Sequence, residues 1–164
     1  MVNHLGNRYR VAAFPEAGGL IMLAGQLALI AAALFTGAAF YINFAEQPAR
    51  AELDARHAVL EWKRAYGRGL VMQLSLVIVA FLLGMLAWSE LDDESWLIGA
   101  LAMALNIPYT LGVVAPVNSR LAAIDPASAP PESRNLLAQW GSLHAVRTAI
   151  GFAATLVFLK GTLS

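Results

Sequence analysis

Four long apolar stretches dominate this sequence, and each is long enough to cross a lipid bilayer. They cover residues 17–45, 69–88, 96–117 and 136–159, and a helix of about 20 apolar residues spans the hydrocarbon core. Because lipid offers no hydrogen bonds to the backbone, such a stretch must satisfy its own peptide groups as a helix. The sequence therefore predicts an all-α fold, a four-helix transmembrane bundle that forms a single integral membrane domain over residues 1–164.

The amino-acid composition supports the membrane class and excludes several kinds of site. Hydrophobic residues make up 59% of the chain and charged residues 13%, whereas soluble domains are about 25% charged. Eleven basic residues balance eleven acidic ones, so no basic excess indicates a nucleic-acid partner. The chain has no cysteine, which excludes disulfides, thiolate metal ligands and cysteine nucleophiles.

The lysines and arginines predict how the bundle is oriented in the membrane. The first and third loops carry Arg50, Arg56, Lys63, Arg64, Arg68, Arg120 and Arg134, and the opposite side carries Arg8, Arg10 and Lys160. Because basic loops stay in the cytoplasm, we expect loops one and three to be cytoplasmic and both termini to lie outside, in the plasma (inner) membrane. Arg8 and Arg10 oppose this orientation. With the apolar run after them, they also leave a cleaved signal as the alternative to a first span.

The first loop has the pattern of an amphipathic helix. Residues 51–66 contain neither glycine nor proline, and Glu61 stands at helical spacing from Arg64. We expect this helix to follow a break at Pro48 and to lead into the second span.

Two polar side chains interrupt the last apolar stretch. His144 and Arg147 lie with Trp140 at positions i, i+4 and i+7, so all three share one face of a helix. An arginine near the bilayer centre costs about 2.5–3.5 kcal/mol, and such residues normally face the bundle interior and have a partner there. This face is therefore the first candidate for a functional site.

The strongly polar residues of the other spans fall in the same half of the bilayer as His144. At about 1.5 Å of rise per residue, they lie at comparable depths below the ends that carry loops one and three. They are Asn43, Glu46, Arg50, Gln73, Asn106, Tyr109 and Thr110. The opposite half is almost entirely aliphatic and aromatic, so the sequence predicts a bundle with one polar end and one apolar end.

These polar groups also have a purely structural interpretation. Glu46 is a candidate counter-charge for Arg147, and an ion pair between them would tie the first span to the last. His144 would then be a hydrogen-bonding histidine, and Asn106 and Thr110 would form hydrogen bonds between helices, worth about 0.6 kcal/mol each in membranes. The residues alone leave the structural and the catalytic interpretation open.

Several short motifs, in their order, resemble the anthrone oxygenase-like family, a group of small four-span membrane proteins that mostly have no assigned function. The motifs are Glu46-Gln47-Pro48-Ala49-Arg50, Trp62, Asn106-x-Pro108-Tyr109-Thr110, Pro116-x-Asn118 and Trp140-x-x-x-His144-x-x-Arg147. The resemblance extends over about residues 20–160. Many relatives have histidine where this chain has Gln47, which weakens any mechanism that needs a second imidazole there.

The resemblance implies an oxygenase that converts an anthrone to an anthraquinone with molecular oxygen and without a bound cofactor. In residue terms, a general base removes the acidic methylene proton, and hydrogen-bond donors stabilise the resulting oxyanion. The catalytic candidates are His144 or Glu46 as the base and Arg147 as an oxyanion donor, helped by Asn106 and Tyr109. The candidate substrate-binding residues are Arg50, Asn106, Tyr109, Thr110, Asn118 and Trp140. The substrate, a small apolar aromatic molecule, would enter the apolar half of the bundle from lipid.

Two non-catalytic classes stay open on the sequence alone. One is a binding protein that holds a metal, a haem or a quinone through His144 together with Glu46 or His57, although no two histidines stand at ligand spacing on one helix. The other is a subunit of a homo-oligomer or of a larger membrane assembly. In that case the face of His144 and Arg147 would contact a partner chain and would not enclose a cavity.

Overall fold

The computed structural model describes the backbone of residues 15–164 and the side chains of residues 19, 20 and 22–164. Its helices are α1 (Pro15–Tyr41), α2 (Gln47–Glu52), α3 (Ala55–Leu91), α4 (Glu94–Tyr109), α5 (Ala115–Ala123) and α6 (Ser133–Gly161). The first π-turn (Ile42–Glu46) joins α1 to α2, and the second π-turn (Thr110–Val114) joins α4 to α5. The described residues do not include His4, Arg8 and Arg10. The alternative of a cleaved signal rests on that segment and also lies outside the described part of the chain.

Because the π-turns keep the backbone helical, the elements form four continuous spans. Each is long and apolar enough to cross a membrane, and their bounds are Met22–Glu52, Ala55–Leu91, Glu94–Ala123 and Ser133–Gly161. Helix α3 packs against α1 and α4, and α6 packs against the same two helices. The predicted all-α transmembrane four-helix bundle is confirmed, and the chain is an integral membrane protein.

The amphipathic part of the first loop is helical, but it is the first part of α3 and not a separate helix. Helix α3 has 37 residues, which corresponds to roughly 55 Å at 1.5 Å per residue. The hydrocarbon core is about 30 Å thick. The charged N-terminal turns of α3 therefore extend beyond the membrane as a continuation of the second span.

The predicted break at Pro48 is wrong, and the chain breaks at Leu53 and Asp54. Pro48 lies in α2 directly after the first π-turn, and a local π adjustment of this kind lets a continuous transmembrane helix tolerate a proline. Asp54 instead begins α3, because its carboxylate accepts the backbone N–H of His57 at 3.0 Å. Hydrogen bonds from His57, first from its backbone and then from its ring, lower the pKa of the Asp54 carboxyl.

The apolar end of the bundle is closed by aromatic rings that pack onto glycines. The rings of Trp96 and Phe158 lie 6.0 Å apart, and both side chains are fully buried. A Cβ atom at Gly99 would come within 2.6 Å of the Phe158 ring, and one at Gly25 within 2.6 Å of Trp96. Such distances are below van der Waals contact, so the rings already occupy the space that these glycines leave between the helices.

We expect Gly99→Leu to lower the thermal unfolding midpoint of the detergent-solubilised protein, because overpacking a core costs about 1–3 kcal/mol. The matched control is Gly37→Leu on α1, where a Cβ atom meets nothing within 4 Å. Both changes gain the same helix propensity, so the difference between them reports the clash with Phe158. Equal midpoints for the two variants would contradict this packing.

Candidate functional site

The polar end of the bundle contains a cavity of about 410 Å³. One side of the cavity is formed by the end of α1 and by the first π-turn. The other side is formed by α3, α6 and the second π-turn. Its volume falls within the range of about 300–1,000 Å³ that is typical of small-molecule sites. Residues of all four spans line it, as expected for a site inside a bundle.

Most of the candidate site residues line this cavity. They are Glu46, Arg50, Thr110, Asn118, Trp140, His144 and Arg147. Asn106 and Tyr109 do not line it. The Asn106 amide donates to the Met103 carbonyl of its own helix at 3.2 Å. The Tyr109 hydroxyl donates to the Leu143 carbonyl at 3.1 Å, and this bond ties α4 to α6.

One face of α3 contributes lining residues that were not among the candidates. Trp62, Tyr66, Gly69 and Gln73 line the cavity and follow one another at spacings of four, three and four residues. That spacing is the signature of one helix face. It could have been recognised in the sequence, but Trp62 and Tyr66 lie in the segment that was predicted as a loop helix.

Arg50 is the centre of a buried charge network beside the cavity. Its side chain is 2% exposed, and its guanidinium forms ion pairs with the carboxylates of Glu46 and Glu61. It also donates to the side-chain oxygen of Gln47, and its Cζ lies 5.5 Å from the ring centroid of Trp140. The proposed ion pair between Glu46 and Arg147 is wrong, because Glu46 pairs with Arg50, its neighbour one helical turn away.

Arg147 is the second buried arginine of the polar end, and it is placed differently from Arg50. Among the side chains that the structure describes, no carboxylate lies within 4.0 Å of its guanidinium. The side chain is buried, its Nε has no hydrogen-bond partner, and its Cζ lies 5.6 Å from the ring centroid of Phe35. A buried guanidinium without a partner is costly, so Arg147 is available for an anionic or carbonyl oxygen in the cavity.

Unpaired polar atoms are concentrated on the residues that line this cavity. Buried side-chain atoms without a hydrogen-bond partner are Trp62 Nε1, Gln73 Nε2, Thr110 Oγ1 and Arg147 Nε. Within the described part of the chain, the one further atom of this kind is Asn106 Oδ1. Leaving a buried polar group unpaired costs about 1–3 kcal/mol. Three of these four atoms are N–H donors on residues that line the cavity, and such donors pair with acceptor oxygens.

Flat aromatic surfaces continue from the donors to the histidine. Trp62 stacks on Tyr66 with ring centroids 4.7 Å apart and meets Trp140 edge-on at 6.1 Å. The Trp140 ring lies 5.0 Å from the His144 ring, and its indole N–H donates to Asn118 at 2.8 Å. Aromatic faces of this kind pack well against a planar aromatic ligand.

His144 is buried and held by the first π-turn. Its Nδ1 lies 3.0 Å from the side-chain oxygen of Asn43, and the Thr148 hydroxyl donates to the same oxygen at 2.8 Å. His144 and Arg147 both line the cavity within this chain. His57 lies elsewhere, exposed at the start of α3, where its ring pairs with Asp54 at 2.7 Å.

Four membrane-spanning helices around a cavity with a histidine, a buried arginine and unpaired donors define an α-helical membrane protein with a candidate site inside the bundle. Residues 62–157, more than half of the chain, match the family described as anthrone oxygenase, and the chain belongs to this family. The predicted membership is confirmed. The matched region includes Trp140, His144 and Arg147, whereas Glu46 and Arg50 lie before it. Searches of curated proteins and of solved structures gave no match.

Proposed function

We propose that this protein is a membrane-embedded oxygenase that acts on an apolar aromatic molecule of the anthrone or quinol class by base-assisted reaction with oxygen. The observation that carries the proposal is a single cavity that combines a buried histidine with unpaired hydrogen-bond donors. Membership of the anthrone oxygenase family agrees with this chemistry. The aromatic residues beside His144 match a planar substrate in shape and polarity.

His144 is the favoured general base, because the carboxylate of Glu46 is already paired with Arg50. The base takes a proton from the acidic methylene of an anthrone, and the negative charge spreads onto the ring oxygen. Arg147 is the strongest donor on the cavity lining for that oxyanion, with Trp62 and Gln73 as neutral donors. Fixed donors around a developing oxyanion are usually the largest contribution of an active site to the rate.

The oxidation itself needs only the substrate anion and molecular oxygen. The anion passes one electron to oxygen, and the resulting radical and superoxide combine, so that a carbon–oxygen bond forms. Protonation by the histidine gives a hydroperoxide. Removal of the remaining proton on that carbon then breaks the oxygen–oxygen bond, which releases water and leaves the ketone. No bound metal or haem takes part in this proposed sequence, and His144 accepts and returns the protons.

We expect His144→Leu to lower kcat for an anthrone, followed as oxygen uptake in nanodiscs, by about 10²-fold or more, the usual contribution of a general base. Arg147→Met should lower it by a similar factor through loss of oxyanion stabilisation. The controls are His57→Leu and Arg120→Met, which change an exposed histidine and an exposed arginine.

Unchanged rates in both cavity variants, with normal unfolding midpoints, would overturn the proposal. Metal content and the absorption spectrum are measured on the same active preparation. A metal or haem that is bound stoichiometrically and required for activity would overturn the cofactor-free sequence.

The substrate is proposed to enter the cavity from the bilayer between α1 and α3, and to react at the polar end of the bundle. The cavity is lined there by Tyr41, Leu70 and Met72, which are 62%, 37% and 46% exposed on the outside of the bundle. Gly69 stands among them, and a Cβ atom there meets nothing within 4 Å. We place the substrate at the polar end and not in the apolar half, because Trp96 and Phe158 pack into the space between the helices there.

Gly69→Trp should therefore lower kcat/KM for an anthrone by obstructing the entrance, whereas Gly67→Trp should leave it near the original value. Gly67 lies two residues away on α3, does not line the cavity, and also has open space around its Cβ position. Oxygen uptake at several substrate concentrations separates the two variants. Equal kcat/KM values would show that the substrate does not pass between α1 and α3.

We also propose that the protein resides in the plasma (inner) membrane with loops one and three in the cytoplasm, as the distribution of basic residues favours. The absence of cysteine allows a clean test with single-cysteine variants. In intact cells a membrane-impermeant maleimide should label Leu163→Cys, near the C-terminus, and should not label Arg56→Cys on α3. After permeabilisation both should react. The reverse pattern in intact cells would invert the orientation.

A further inference from the structure

We propose that Asn43 is a positioning residue that fixes the tautomer of His144, with the proton on Nδ1 and the free lone pair on Nε2. The catalytic consequence of this inference rests on the proposed role of His144 as the base. The tautomer itself follows from hydrogen bonds that are independent of any substrate. The first of these bonds fixes the Asn43 amide, and the second fixes the imidazole.

The orientation of the Asn43 amide is determined by the backbone of α6. The Asn43 Nδ2 lies 2.9 Å from the carbonyl oxygen of Gly141, and a carbonyl only accepts hydrogen bonds. The NH₂ group must therefore face Gly141, because the flipped amide would bring two acceptor oxygens together. The Asn43 oxygen is then the atom that faces His144 and Thr148.

The Asn43 oxygen in turn determines which ring nitrogen of His144 carries the proton. This oxygen also only accepts, and it lies 3.0 Å from His144 Nδ1 and 2.8 Å from the Thr148 hydroxyl. Nδ1 must therefore donate, so in the neutral imidazole Nε2 is unprotonated. Asn43 does not line the cavity described above, whereas His144 does. The ring thus bonds Asn43 through one nitrogen and leaves the other, the basic one, for the cavity.

The first π-turn makes this arrangement possible. Asn43 is its second residue, and Ile42 and Glu46 of the same turn line the cavity. Asn43 and Gln47 point instead to α6, where their amides donate to the carbonyls of Gly141 and Leu137. A π-turn contains one more residue per turn than an α-helix and is frequent at functional sites. Here Ile42 and Glu46 line the cavity, while Asn43 of the same turn bonds His144.

Gly141 permits the close approach of the first π-turn and α2 to the backbone of α6. A Cβ atom at residue 141 would lie 2.7 Å from Gln47 Nε2 and 2.9 Å from Gln47 Cγ. The side chains of the first π-turn and α2 therefore lie directly on the backbone of α6. This places the two amides within hydrogen-bond distance of carbonyls one helical turn apart.

The test is ¹⁵N NMR of histidine-labelled protein in nanodiscs, which distinguishes protonated from unprotonated ring nitrogens. The chain has three histidines, so a background with His4→Gln and His57→Gln leaves His144 as the single signal. We expect a protonated Nδ1 and an unprotonated Nε2. Asn43→Leu removes the acceptor and should shift the population toward the Nε2–H form. Thr148→Val is the matched control, because it removes a donor to Asn43 and leaves the acceptor for His144 in place.

A protonated Nε2 in the parent protein would overturn the inference, whether or not Asn43→Leu folds. An unchanged tautomer in folded Asn43→Leu would overturn it as well. In the oxygen-uptake assay, Asn43→Leu should lower kcat by about tenfold with little change in KM, as expected for loss of the reactive tautomer. If the spectra are as expected but His144→Leu retains full activity, the proposed function fails and the tautomer assignment stands.

Discussion

Lipid provides no hydrogen-bond partners, so every polar group that this chain carries into the membrane needs a partner inside the protein. Most of them have one. Arg50 is neutralised by Glu46 and Glu61, and the amides of Asn43 and Gln47 donate to backbone carbonyls of α6. The exceptions are concentrated on residues that line the cavity, where Arg147 and its neighbours retain unpaired atoms. These unpaired donors on residues that line the cavity are the observation from which we propose that the cavity binds acceptor oxygens.

The two ends of the bundle have different packing and therefore different roles. At the apolar end, Trp96 and Phe158 fill the gaps left by glycines on facing helices, which fixes the distances between the four spans. At the polar end, two π-turns alter the direction in which side chains point, and both contribute residues to the cavity. One end of the bundle is therefore closely packed, whereas the other contains the cavity.

Helical depth and periodicity are sufficient to predict much of the candidate site. Trp140, His144 and Arg147 share a face in the sequence and all line the cavity. Asn106 and Tyr109 do not line the cavity, although an ideal helix would place them on the face of Thr110. Thr110, which does line it, begins the second π-turn, so the regular α-helical repeat ends there. The spacing of these residues in the sequence does not indicate where the α-helical repeat ends.

The sequence by itself determined the four spans, the polar end and the family, since span length, depth and motif order are properties that run along one chain. The tertiary structure alone decided which groups meet. Glu46 pairs with Arg50 and not with Arg147, the cavity beside His144 lies at the polar end, and Asn43 bonds His144. These outcomes depend on the rotation of each helix about its axis and on which faces come into contact. Both are set by the packing of side chains from distant parts of the chain, which no single stretch of sequence specifies.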